Sequence, residues 1–140
     1  QKTAYEISLG LVGSEMCIRD RYFLDLMVRE GKTPAELVAM LFQKLGREYH
    51  YGRRDFRFSA EARSAIEEQV RIWVPGSIDG AAVLRRNEAD GFKYYLDDES
   101  WLLIRFSGTE PLLRVYTETT TVDRVDELLA IGASAAGVKE

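Results

Sequence analysis

Two apolar runs, Trp101-Leu102-Leu103-Ile104 and Leu112-Leu113-Arg114-Val115-Tyr116, stand on either side of the polar stretch Arg105-Phe106-Ser107-Gly108-Thr109-Glu110-Pro111. Both runs are rich in residues that suit a pleated surface buried on one side, so the pattern predicts two strands joined by a short, firmly mounted loop. Strand side chains alternate, which places Leu102, Ile104 and Phe106 on one face and Leu103, Arg105 and Ser107 on the other. Pro111 keeps Glu110 out of a helical conformation. Gly108 permits backbone angles that a side chain forbids, so amides and hydroxyls of Ser107 and Thr109 can converge on an anion in a small nest. Arg105 and Arg114 each offer a planar fork of donors that lysine cannot reproduce. The plainer reading of the same residues is a polar hairpin with its arginines in water.

Arg-x-Ser-Gly-Thr-Glu-Pro at 105–111, followed closely by Arg114-Val115-Tyr116, resembles the C-terminal phosphate-binding loop of the α-D-phosphohexomutases, the family of phosphoglucomutase and phosphomannomutase. Asp90-Gly91-Phe92-Lys93 resembles that family's turn into the preceding strand, and the likeness extends over roughly residues 22–140. The resemblance implies an enzyme that moves a phosphoryl group between the C1 and C6 oxygens of a hexose phosphate, glucose or mannose in preference to glucosamine. The route runs through a phosphoserine and a bisphosphorylated sugar that reorients midway, with Mg2+ as cofactor. It implies that this part of the enzyme holds the phosphate that is not transferred, through Arg105, Ser107, Gly108, Thr109 and Arg114, with Glu110 bracing the loop.

The family's serine loop, its Asp-Gly-Asp metal loop and its Gly-Glu-x-Ser-Gly sugar-reading loop have no counterpart among the 140 residues. No catalytic residue and no magnesium ligand is therefore expected in this chain, which is expected to be inert by itself. The partners implied are the hexose phosphate and the N-terminal domains of the same enzyme. The alternative is a standalone phosphate- or sugar-phosphate-binding module without catalysis.

Leu11 to Arg21 interrupts the family pattern and resembles the translation of a transposon adapter end used in preparing sequencing libraries, Met16-Cys17-Ile18-Arg19-Asp20 above all. Residues 1–21 are accordingly set aside as an artefact. Cys17, the one cysteine, goes with them, which leaves no thiol for disulfide, metal or nucleophilic work. Lys2, Arg19 and Arg21 balance Glu6, Glu15 and Asp20, so the net charge of -4 belongs to the remainder. A mildly acidic chain of this kind is not expected to bind nucleic acid, and Asp97-Asp98-Glu99 speaks against it too. With 46% hydrophobic and 30% charged residues the composition is globular, and no apolar run approaches a membrane span. A cytoplasmic location is expected.

Further along, apolar residues from Tyr22 to Glu30 predict a helix ended by Gly31. Thr33-Pro34-Ala35-Glu36 reads as a capping box opening a second helix to about Leu45, with Leu37, Met40, Leu41 and Leu45 as its core stripe. The family resemblance implies that residues 22–46 are a helical remnant of the third, α/β domain and that 47–56, which lack a clean period, are the interdomain linker, with Tyr51-Gly52 as hinge. His50 lacks a second histidine or cysteine nearby and is read as a hydrogen-bonding surface residue, and Arg53-Arg54 as a solvated linker pair. Residues 57–140 would form the phosphate-binding domain. Ser59 caps its first helix; strands follow at 78–86, 92–96 and beside the loop; Thr120 or Thr121 opens a last helix with Val122, Val125, Leu128, Leu129 and Ile131 buried and a fraying small-residue tail. The expected fold is α+β, a four-stranded antiparallel sheet with flanking helices, and the family resemblance implies that it is similar to the TATA-binding-protein architecture.

Overall fold

The computed structural model describes residues 18–138. Most of the adapter-like segment, Cys17 included, lies outside the described residues. The chain divides into two compact units, Gln1–Gly46 and Arg47–Glu140.

In the first unit, residues 18–30 form helix α1 and Pro34–Leu45 helix α2. The capping box forms in full. The Thr33 hydroxyl accepts the Glu36 amide at 3.4 Å, and the Glu36 carboxylate accepts the Thr33 amide at 2.8 Å, which with the Thr33 hydroxyl's own bond lowers the carboxyl's pKa. The expected core stripe is only partly realised. Leu37 is buried and Met40 half-buried, but Leu41 and Leu45 are exposed, as are Phe23, Leu24 and Leu26 of α1. Two helices cannot bury an apolar stripe on each without a further layer.

The second unit is a six-stranded antiparallel sheet in the order β1-β6-β5-β4-β3-β2, not the four strands expected. Its strands are β1 His50–Arg57, β2 Ser77–Ile78, β3 Ala81–Asn87, β4 Phe92–Leu96, β5 Trp101–Phe106 and β6 Leu112–Thr119. The two additional strands have separate origins. The single strand expected over 78–86 is broken by Asp79-Gly80, both residues with positive φ (49° and 79°), into a tight hairpin of β2 and β3. Most of the presumed linker is β1, which pairs antiparallel with β6 along its whole length. Its period was hidden because the inward positions Gly52 and Arg54 are not apolar.

Helices cover one face of this sheet. A short 3-10 turn at Ala60–Ala62 precedes α3, Arg63–Ile72, so Ser59 stands before that turn and makes no side-chain cap bond. Helix α4 spans Asp123–Ala135. The core lies between these helices and the sheet: Phe56, Tyr94, Leu102, Ile104, Leu113 and Val115 meet Val70 of α3 and Leu128 and Leu129 of α4. Val122 is exposed and starts α4 without a threonine cap bond. In the described part of the small-residue tail, Ala133 and Ala136 are buried and the Val138 amide bonds back to Ala133 O at 3.1 Å.

Gly52 is where α4 comes closest to β1. A Cβ there would stand 2.3 Å from Val125 Cγ1 and 3.0 Å from Leu129 Cδ1. The glycine expected to be a hinge is therefore a packing point inside a paired strand.

Candidate functional site

Alternation places Leu102 and Ile104 on the helix-covered face and Arg105 on the open one, and the same rule sends Leu113 and Val115 inward and Arg114 outward. Arg105 and Arg114 lie directly opposite one another in the β5–β6 register, next to the loop at 107–111. Across β6, Arg114 is in turn opposite Asp55 of β1. A transverse row of Asp55, Arg114 and Arg105 thus crosses three strands at the loop end of the sheet.

The loop is tied down at its base. Ser107 N donates to Leu112 O at 2.8 Å, Ser107 O accepts Arg63 Nη1 at 2.8 Å, and Phe58 N donates to Pro111 O at 3.2 Å. Arg63 is the first residue of α3, and its guanidinium also lies over the Phe106 ring at 5.6 Å. Loop, β1 and α3 are thereby held as one piece, while Gly108, Thr109, Glu110 and Pro111 remain exposed and Ser107 is buried. Gly108 does not adopt a positive φ, contrary to the expected role, and a Cβ on it would meet open space. What the glycine supplies in this structure is clearance above the loop.

Each arginine of the row has a carboxylate near it. Arg105 Nε is 3.0 Å from Asp90 Oδ1, in the turn before β4. Gly91 lets that turn come close: its φ is 93°, and a Cβ would stand 2.7 Å from Ile104 O. Arg114 is held far more loosely, with Nε 3.9 Å from Asp55 and Nη2 4.0 Å from Glu110, both longer than a hydrogen bond. Its Nε is shielded from solvent and has no hydrogen-bond partner. Asp55 is instead occupied by Arg53, which reaches both of its oxygens at 2.7 and 2.5 Å. Those bonds hold the Asp55 carboxyl below the usual carboxylate range and raise Arg53 further.

The structure brings Arg105, Ser107, Gly108, Thr109 and Arg114 to one end of the sheet. It separates the expected linker pair: Arg53 is on the open face, 5.6 Å over the Tyr116 ring, whereas Arg54 bonds Asp126 of α4 at 2.8 Å. His50 opens β1 opposite Thr119. Asp97-Asp98-Glu99 lies in the turn between β4 and β5. The open face itself carries Arg85 3.9 Å over Tyr95 and Lys93 3.9 Å over Trp101, so these rings are already covered by cations of the same chain. Sequence reading missed Asp55, Arg63 and Asp90 as neighbours of the loop; only the pairing of β1 with β6, the start of α3 and the turn at Gly91 bring them there.

Among the described residues no group of three histidine, cysteine or acidic side chains could hold a metal ion, so the residues present do not fit the Mg2+ that the resemblance implies. No described helix is long and apolar enough to cross a membrane.

Comparison with known proteins adds the family. Residues 60–133, just over half of the chain, match the C-terminal domain of phosphoglucomutase/phosphomannomutase. A phosphopentomutase of Thermococcus kodakarensis is 50% identical over 52 residues, which are 36% of this chain and 12% of that protein. A phosphoglucomutase/phosphomannomutase of the same organism is 42% identical over 43 residues, 31% of this chain and 9% of the relative. A probable phosphoglucosamine mutase of Methanopyrus kandleri is 28% identical over 107 residues, 76% of this chain and 21% of the relative. The chain thus spans a small part of the length of these relatives. Strand-loop-strand geometry, the opposed arginines and the matched residues together make this chain a member of the phosphoglucomutase/phosphomannomutase family, carrying its C-terminal domain.

Proposed function

We propose that this chain is the phosphate-holding part of a sugar phosphomutase, and that the loop at 107–111 with Arg105 and Arg114 binds the phosphate of a hexose phosphate that is not being transferred. One observation carries the reading: Arg105 and Arg114 face each other across neighbouring strands. Like charges directly opposite in a sheet are destabilising. A dianion between the two forks turns that repulsion into two sets of charge-assisted hydrogen bonds. Clearance above Gly108 leaves room for its oxygens near the backbone amides and the Thr109 hydroxyl.

Holding one end of the sugar in this way is remote binding: it orients the far end toward reacting groups that belong to other domains of the enzyme. The names of the relatives span pentose, hexose and hexosamine mutases, and the loop contacts the feature these substrates share, so glucose or mannose is the reading of the whole enzyme and not of this loop. Titration of the 140-residue chain with glucose 6-phosphate and with inorganic phosphate tests it. Arg105→Ala is expected to weaken both by about tenfold or more, the worth of a charged hydrogen-bond pair. Equal affinity of the variant and the unmodified chain would discard the site.

A further inference from the structure

Asp55 and Arg114 are opposite charges in direct cross-strand register, the arrangement that ordinarily closes into an ion pair. Here the two approach only to 3.9 Å, an ion pair too long for a hydrogen bond. Arg53, two residues before Asp55 on the same face of β1, takes both carboxylate oxygens instead, at 2.7 and 2.5 Å. The consequence falls on Arg114, whose Nε is shielded from water and bonded to nothing. A shielded guanidinium donor without a partner is costly, and such groups call for an explanation.

We propose that Arg53 is a positioning residue of the phosphate site: by engaging Asp55 with its two-pronged fork, it prevents that carboxylate from claiming Arg114, whose donors are thereby kept for the ligand's oxygens. The inference rests on the phosphate reading above. It gives Arg53 a role that needs no contact with the anion. Arg53 also has the anchorage such a role requires, since its guanidinium lies over the Tyr116 ring on β6 and both bonds to Asp55 run within one strand face. With Arg53 gone, the fork that held both oxygens of Asp55 is lost; Arg57 remains on the same strand face but makes no bond to Asp55 in this structure, and the gap to Arg114 can close.

A double-mutant cycle makes the idea separable from plain electrostatics. Arg53→Ala removes a positive charge and releases Asp55, so phosphate affinity is expected to drop by about tenfold, the size of one charge-assisted bond. Asp55→Asn removes the competitor and should bind phosphate at least as well as the unmodified chain. Once Asp55→Asn has removed the competitor, adding Arg53→Ala should cost no more than about twofold, whereas plain charge loss would cost the same about tenfold with or without Asp55, a difference that the cycle reads directly. A double variant as weak as Arg53→Ala alone would overturn the proposal, because Arg53 would then be needed for itself. Arg53→Ala binding like the unmodified chain would overturn it equally.

Arg105→Ala separates the two levels. If it leaves phosphate binding intact, the loop reading itself fails; if it abolishes binding while the Arg53 and Asp55 series behaves additively, only the present inference fails. The Arg114 Nε–H resonance supplies a readout that needs no ligand. In phosphate-free solution it should move downfield in Arg53→Ala, as Asp55 becomes its acceptor, and not in the double variant; an unmoved resonance would sink the idea. Arg53→Gln replaces the alanine variant should the latter fail to fold by its amide spectrum.

Discussion

Tyr94 shows how one side chain ties the core to solution conditions. It is wholly buried, and its hydroxyl donates to Trp73 O at 2.9 Å. Burial, ahead of any neighbouring charge, raises its phenol above the ordinary value. The folded state therefore holds this proton more tightly than the unfolded chain. The stabilisation is fully present below the ordinary tyrosine value of about 10 and is lost as pH rises through the raised folded value. Stability should decline in strong alkali, and Tyr94→Phe should flatten that decline while costing about 1 kcal/mol near neutrality for the lost hydrogen bond. Urea unfolding of both proteins across the alkaline range checks it; parallel profiles would refute the assignment. The same scale explains what was readable at the loop. Arg105 and Arg114 announce themselves by their motif, but the identity of their carboxylate neighbours does not, since Asp55 and Asp90 lie far from them along the chain.

At the scale of elements, sheet and helices meet through small residues. Gly52 of β1 faces Val125 and Leu129, and Gly132 of α4 faces Val115, where a Cβ would stand 2.5 Å from Cγ1. Gly52→Ala should destabilise the domain by about 1–3 kcal/mol, because the extra carbon meets branched side chains that cannot rotate away without disturbing the core. Chemical denaturation measures it, and a change below a few tenths of a kcal/mol would show that α4 can shift at no cost. The strands beside the loop, the turn before β4 and the capping box of α2 were legible because each has a local cause: alternation, Asp90-Gly91, and Thr33 with Glu36. β1 was not. An edge strand whose inward positions include a glycine and an arginine, with Phe56 its one buried apolar residue, has no hydrophobic period, and only its partner β6 defines it. The β2–β3 hairpin did carry a signal, Asp79-Gly80 between extended residues, which a continuous strand assignment passed over. Arg124 then fastens that hairpin to α4, bonding Asp79 at 2.7 Å and pairing with Asp98.

For the molecule as a whole, binding and stability are one measurement. A ligand that binds only the folded state adds RT ln(1 + [L]/Kd), or about 2.7 kcal/mol at a hundredfold excess over Kd. Inorganic phosphate should therefore raise the melting temperature of the unmodified chain by several degrees and leave that of Arg105→Ala in place. Chelation with EDTA should shift neither, in keeping with the lack of a metal-ligand cluster among the described residues. A phosphate-independent melting temperature in the unmodified chain would argue against the site. The sheet order carries a last consequence. Among the described residues β1 is the first strand in chain order, yet its sole neighbour is β6, the last, with Arg53 opposite Tyr116. During synthesis on the ribosome β1 must wait, unpaired, until β6 has emerged, so the cross-strand row of Asp55, Arg114 and Arg105 assembles only after the strands between them have been made.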